Sequence, residues 1–462
     1  MIGLSSPAER LTFIPFNLPG LKASRYNVIV PEDGASSHGM LVYNTLTGAA
    51  AELSAAEAKM LSRYLEGPPL SHLDGLSLLK EVDALFSAGF LVPSLLDEAG
   101  LVRGQRLFWQ KDRSHLDLTI APTLRCNFRC TYCGQEKAPV SFSRRDLDRL
   151  TSFLGRVIGP GTRRVTVHWY GGEPTLRVDA VRAVSRELVG LADRFGSVFE
   201  AEMYTNAWRL NEDICPALSR EGRISTLMVS LDGPRDIHDR MRGGRPGLGG
   251  LEGTLDRVEL AVRYFDIKIR IHCHLENVTR IGELLEELHR RGLDRTEERA
   301  GHSLSVHFSK LYDFSSVCSH VRNIRLPHRD WGAIQCGLLE QAASMGFKVV
   351  WLPKRSAATY CMGQRENAFL IVPRGYVYKC YNQNLIDPKG AAGRLSDPEI
   401  PYRLIGGLDP ADDERCADCL YLPICSGECP LQAWSEIPCT HLKGNLERRL
   451  VQLWKQQRKR GG

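Results

Sequence analysis

From about residue 115 to residue 310 the chain switches repeatedly between two hydrophobic periods. Two-residue alternation, the mark of a strand, occurs at 116–121, 164–170, 199–206, 225–232, 267–275 and 303–309. Between these stretches, helical spacing of apolar residues appears near 144–158, 178–195, 250–264 and 280–291. Strands alternating with helices predict a parallel α/β sheet or barrel. Six strands are too few to close an eight-stranded barrel, so the expected fold is α/β, a partial (β/α)6 TIM-type barrel.

The strand faces are chemically unequal. Val165, Val167 and Trp169 oppose Thr166, His168 and Tyr170. Ile267, Ile269, Ile271 and Cys273 oppose Lys268, Arg270, His272 and His274, and Leu304, Val306 and Phe308 oppose Ser303, Ser305 and His307. Asp117 and Thr119 share one face, as do Glu200, Glu202, Tyr204 and Asn206. Central parallel strands are normally apolar on both sides, because helices cover one face and a packed lumen the other. The apolar sets belong against the helices, so the polar sets line the lumen. A wet, charged cavity follows, large enough for a cofactor and a substrate segment. His168, His274, His307 and Asp117 are its candidates for a general base.

The flanks differ from the barrel. In residues 1–105, Tyr26–Val30, Met40–Tyr43 and Phe90–Pro93 read as strands. Ser54-Ala-Ala-Glu57 is a capping box opening a helix that ends at Gly67-Pro-Pro. A second helix carries Leu78, Leu79, Val82, Leu85 and Phe86 and stops at Gly89. This predicts a winged-helix-like domain, serving either as a structural cap or as a site where an extended peptide adds a strand. After the barrel at 115–315 come a bridging segment (316–355), a cysteine-rich domain (356–445) and a basic C-terminal helix (446–462).

Composition narrows the chemistry. The 462 residues include fourteen cysteines, with no apolar run of membrane-spanning length and no export-type N-terminus. Cysteines in such a chain point to metal or redox use in the cytoplasm rather than to disulfides. The net charge of +6 is modest, and the dense run Lys455-Gln-Gln-Arg-Lys-Arg460 reads as a solvated helix end. Neither nucleic acid nor membrane is expected as a partner.

The first cysteine cluster is Cys126-x3-Cys130-x2-Cys133, directly after the first barrel strand. Structural zinc sites and closed iron–sulfur clusters take four protein ligands, so three leave one position for something that is not protein. Later strand ends carry Gly171-Gly172-Glu173-Pro174, Thr205-Asn206 and Ser230-Leu-Asp-Gly-Pro234. The two glycines permit close approach of a ligand to the backbone. Glu173 can accept from an ammonium group. Ser230 with Arg240 and Arg242 can hold a carboxylate. Together these are the requirements of an amino-acid moiety. Near the end, Cys361 and Cys380 flank Gly375, and Cys416-x2-Cys419-x5-Cys425-x3-Cys429 is followed by Cys439. Four-cysteine zinc sites use similar spacings, so zinc competes for this region taken alone. Cys215, Cys273, Cys318 and Cys336 are isolated and read as buried thiols, with Cys318 or Cys336 a possible extra ligand.

The Cys loop with Tyr132, the Gly-Gly-Glu-Pro turn, Ser-Leu-Asp-Gly-Pro followed by His238-Asp239, and the distal cysteines resemble the radical S-adenosylmethionine superfamily, specifically its members with a C-terminal SPASM domain. The resemblance covers about residues 115 to 445. It implies that Cys126, Cys130 and Cys133 hold a [4Fe-4S] cluster whose open iron takes S-adenosyl-L-methionine. Gly171, Gly172, Glu173 and Pro174 would meet its amine, Ser230 and Arg242 its carboxylate, and Tyr132 its adenine region, with Asn206 beside them. Two auxiliary [4Fe-4S] clusters would follow. Cys416, Cys419, Cys425 and Cys439 would close one, across a final gap shorter than usual. Cys361, Cys380 and Cys429 would hold the other, with its fourth ligand unidentified.

The implied activity is that of an oxidoreductase using a 5′-deoxyadenosyl radical on a peptide. The N-terminal unit favours a maturase that installs a thioether or carbon–carbon cross-link in a ribosomally made precursor peptide (a RiPP). A flavodoxin- or ferredoxin-type electron donor would serve it. The alternative branch is the anaerobic sulfatase-maturing type, which makes formylglycine. A non-enzymatic iron–sulfur or zinc module is the alternative of another class, but it has no use for amine and carboxylate clamps.

Overall fold

The computed structural model describes residues 20–31, 39–66, 79–243, 250–313, 316–352, 361–401, 414–425, 429 and 442–461. Gly67-Pro-Pro, Leu78 and Cys439 lie outside the described residues, as does the side chain of Cys318.

The N-terminal unit has two small sheets. Strands β1 (Leu21–Ala23) and β5 (Leu91–Pro93) form an antiparallel pair, and β2 (Asn27–Val30), β3 (Leu41–Asn44) and β4 (Ala50–Glu52) form a meander. The helices Ala55–Glu66 and Leu79–Ser87 pack on them through Met60, Leu61, Leu85 and Phe90. The Ser54 capping box is present: Ser54 N–H donates to Glu57 Oε2 at 2.8 Å and Glu57 N–H to Ser54 Oγ at 3.3 Å. β1 and β4 escape notice in the sequence because three residues are too short to show a period.

Six parallel strands follow: β6 (His115–Ile120), β7 (Arg164–Trp169), β8 (Val198–Thr205), β9 (Ile224–Leu231), β10 (Asp266–Cys273) and β11 (Leu304–Lys310), adjacent in chain order. They match the six expected strands to within two residues at each end. Their apolar faces are covered by helices, as the alternation requires. Val165, Val167 and Trp169 are fully buried against residues such as Leu150, Phe153 and Val181 of the helices Arg144–Val157 and Val178–Phe195. Each such aliphatic or aromatic side chain contributes about 1.5–3 kcal/mol through removal from water. Ser143 and Asp146 form a second capping box that fixes where the Arg144–Val157 helix begins.

The sheet does not end at β6. A seventh parallel strand, β12 (Ala368–Val372), pairs with it, and β13 (Tyr376–Tyr378) and β14 (Gly393–Arg394) continue antiparallel. The cysteine-rich region is therefore stitched into the barrel sheet. It also meets the N-terminal unit: Val28, Leu41 and Tyr43 pack with Tyr421, Ile424, Leu446 and Leu450. Arg25 pairs with Asp418 at 2.7 Å, and the Leu446–Gly461 helix is held by Trp454 Nε1–H donating to Glu52 at 3.0 Å. Among the described residues, no helix is long and apolar enough to cross a membrane.

Candidate functional site

The polar faces of the strands enclose a cavity of about 780 Å³. Asp117, Thr119, His168, Tyr204, Ser230, Arg270 and His272 line its wall, and Cys126, Cys130 and Cys133 line its mouth. The cavity thus opens at the C-terminal strand ends, where parallel α/β folds keep their chemistry.

Two neighbours hold the Cys loop. Gly171 (φ +115°) and Gly172 form the turn after β7. Gly172 N–H donates to Thr123 O at 3.0 Å and Glu173 N–H to Arg125 O at 2.9 Å. A Cβ on Gly172 would lie 2.1 Å from Arg125 O, and one on Gly171 2.4 Å from Thr123 O. The close approach that the glycines permit is made by the Cys loop itself, not by an incoming ligand. On the other side, Arg129 and Thr131 N–H donate to the carbonyls of Arg242 and Met241, at the end of the helix Arg235–Arg242. The loop is clamped before any ligand arrives. Phe128 N–H reaches Cys126 Sγ at 3.4 Å. Burial, with Glu173 nearby, pushes the Cys126 thiol up to about 12, and burial also raises Cys130. A metal centre is what converts such thiols to ligating thiolates near neutral pH.

Glu173 is 1 % exposed, and both its carboxylate oxygens are engaged. Oε1 accepts from Thr175 N–H (3.0 Å), Thr175 Oγ1 (2.6 Å) and Thr205 Oγ1 (2.7 Å); Oε2 accepts from Asn206 N–H (2.8 Å). It ties the glycine turn to the end of β8. Burial lifts its pKa, and the four donors oppose that. Asn206 Nδ2–H in turn donates to Asn127 Oδ1 at 2.8 Å, within the Cys loop.

The carboxylate clamp has a hub that local sequence reading missed. Asp232, fully buried, accepts from Arg242 Nε (2.6 Å) and Tyr132 OH (2.9 Å), and lies 3.2 Å from His272 Nδ1. Arg242, beside it, holds this carboxyl far below the usual range against the cost of burial. Arg242 is 4 % exposed, and its Nη2 is buried with no hydrogen-bond partner. A guanidinium on the cavity wall with one unpartnered N–H group fits the carboxylate of an amino acid. Tyr132 stacks near His272, ring centroids 4.8 Å apart.

The four base candidates separate. His168 lies 2.9 Å from Glu202 and 3.5 Å from Asp117, and the two carboxylates raise its pKa to about 10 despite burial. Asp117 is held low, with His168 and Arg365 beside it. Both line the cavity. His274 is fully buried outside the lining, and His307 is exposed.

Cys361, Cys380, Cys425 and Cys429 line the same cavity as the Cys loop. Gly375 (φ +73°) turns β12 into β13, which delivers Cys380. Lys379 anchors that strand by donating to the carbonyls of Arg365 (2.7 Å) and Glu366 (3.1 Å). Cys416 and Cys419 sit instead against the N-terminal unit, packed near Tyr26 and Leu422. Cys215, Cys273 and Cys336 are buried thiols outside the cavity lining.

Comparison with known proteins agrees with this geometry. Residues 120–293 match the model of the radical SAM superfamily, and this stretch is a radical SAM domain. That domain implies a [4Fe-4S] cluster and S-adenosylmethionine, and the three thiols, the glycine turn and the unpartnered Arg242 Nη2 fit both. GTP 3',8-cyclase 2 of Pseudomonas aeruginosa is 28 % identical over 216 residues, 45 % of this chain and 58 % of that protein. A cysteine-type anaerobic sulfatase-maturating enzyme of Clostridium novyi is 28 % identical over 156 residues, 32 % of this chain and 41 % of the relative. The chain thus spans about half the length of the curated relatives it matches. The structure of anSMEcpe with bound AdoMet and Kp18Cys peptide superposes with a TM-score of 0.54 at 18 % identity, covering 73 % of this chain and 96 % of the other. At that identity the likeness speaks for the fold.

Proposed function

We propose that this chain, built around a radical SAM domain, is an oxidoreductase that modifies a peptide, with cross-linking of a ribosomally made precursor as the favoured reaction. One observation carries the reading: a single cavity is lined both by Cys126, Cys130 and Cys133 and by the distal thiols Cys361, Cys380 and Cys429. When bound, S-adenosylmethionine and its cluster supply a 5′-deoxyadenosyl radical able to take a hydrogen atom from a substrate.

The chain's own residues do the rest. The three loop cysteines would hold the cluster. The turn at Gly171–Pro174, kept in shape by Glu173, would meet the ammonium group. Arg242 Nη2 and Ser230 would take the carboxylate, with Asp232 holding the guanidinium in place. Tyr132, its hydroxyl fixed by Asp232, would border the adenine beside Asn206. Of the base candidates, His168 is already protonated between Asp117 and Glu202, so Asp117 is the ionised acceptor on the cavity wall. Cys361, Cys380 and Cys429 would carry one auxiliary [4Fe-4S] cluster. Cys416, Cys419, Cys425 and Cys439 would carry the other. The N-terminal unit would present the peptide by strand pairing beside β1 and β5. A flavodoxin- or ferredoxin-type protein would deliver electrons.

The sulfatase-maturating name of one relative supports a second reading, oxidation of a Cys or Ser to formylglycine. Anaerobic incubation of the full chain with candidate precursor peptides, and separately with a sulfatase-derived peptide, separates the two. A mass loss matching a new cross-link supports the first reading. Conversion of one side chain to formylglycine in a sulfatase-derived peptide, with the precursor unchanged, supports the second.

A further inference from the structure

The lumen charges do not balance. Asp117 faces His168 and Arg365, Glu202 faces His168 and Lys268, and Asp232 faces Arg242 and His272. Glu173 is met by four neutral donors. Each carboxylate on the wall is therefore already matched. Arg270, at mid-strand on β10, has no acidic partner among the described residues. The contact it makes is Nη2–H to the hydroxyl of Ser309 on β11, at 3.1 Å. Its Nε is buried without a hydrogen-bond partner. Lys310, 2 % exposed and 2.8 Å from His328 Nδ1, stands on the same wall. Arg270 is half-buried, and a guanidinium whose buried Nε–H lacks a partner is best completed by an anion. Arg270 is in register with Ser230 of β9 and stands on the β10 side of the cavity, whereas Arg242 belongs to the helix Arg235–Arg242 that follows β9.

We infer that Arg270 is a specificity-determining residue that binds the carboxylate of an acidic side chain of the substrate peptide, on the β10–β11 wall. This deepens the peptide-modifying reading above and rests on it. Its chemistry is recognition only: the planar fork of Arg270 keeps Ser309 on one N–H group and offers Nε to the incoming oxygen.

The test uses the full chain, reconstituted with iron and S-adenosylmethionine. Acetylated and amidated Ala-Glu-Ala and Ala-Gln-Ala serve as probes, with binding followed by NMR. A charged hydrogen bond corresponds to a preference of between about tenfold and a hundredfold for the glutamate peptide. That preference should vanish in Arg270→Gln and return in part in Arg270→Lys, with iron content and S-adenosylmethionine affinity unchanged. Equal binding of the two peptides by the wild type overturns the inference, as does a preference that survives Arg270→Gln. So does an Arg270→Gln chain that loses iron or cofactor affinity instead. Failure of the underlying reading shows separately, as a wild-type chain that releases no 5′-deoxyadenosine.

Discussion

Replacing Asp232 by Asn should destabilise the fold around the carboxylate clamp. Asp232 is fully buried and serves Arg242, Tyr132 and His272 together. Asparagine keeps the shape but not the charge, and Arg242 is then left 4 % exposed as an unmatched cation. Removing one member of a buried ion pair costs about 3–5 kcal/mol. Because the amide oxygen still accepts one bond, the low end applies, about 3 kcal/mol, or roughly two decades in the folding equilibrium. Chemical unfolding of the metal-free chain, followed by tryptophan fluorescence, measures it. The double variant Asp232→Asn/Arg242→Met should recover part of the loss, since no buried charge remains unpaired. The sign with pH is fixed as well. The folded pKa of Asp232 is depressed, so its contribution is present above its unfolded value of about 3.9 and fades as pH falls below that. The gap between wild type and Asp232→Asn should stand at neutral pH and close in acid. An Asp232→Asn chain within about 0.5 kcal/mol of wild type at neutral pH, the scatter of ordinary surface changes, would show that Asp232 does not carry the clamp.

Other consequences follow from the same geometry. The folded pKa of His168 is raised to about 10, so its stabilisation is complete below about 6.5 and is lost as pH rises through about 10; the stability difference from His168→Gln should shrink across that window. Gly172→Ala drives a Cβ into Arg125 O, a backbone atom, so iron analysis and EPR should show loss of the loop cluster with auxiliary iron retained. Cys361→Ala and Cys380→Ala should each do the reverse, removing auxiliary iron while S-adenosylmethionine still binds.

The barrel was legible because its strands bury one face and wet the other, and a period of two is visible in six residues. The Cys loop was legible because three thiolates at short spacing have few other uses. What escaped depends on partners remote in the chain. β12, Ala368–Val372, is buried on both faces and shows no alternation, and its partner β6 lies far upstream. Asp232 sits in a motif whose neighbours drew attention, yet its partners come from elsewhere, Tyr132 from the Cys loop and His272 from β10. The glycines after β7 pointed to a close approach, but only the folded loop shows that Arg125 and Thr123 make it. His274 and His307 share the alternation of their strands and still miss the cavity lining: His274 lies just past the end of β10, fully buried, and His307 is exposed on the edge strand β11.

The most direct test is anaerobic reconstitution of the full chain with iron and sulfide, followed by dithionite and S-adenosylmethionine. The expected result is a brown protein that releases 5′-deoxyadenosine, and a Cys126→Ala chain that keeps auxiliary iron but releases none. A colourless wild type, or undiminished 5′-deoxyadenosine from Cys126→Ala, would contradict it.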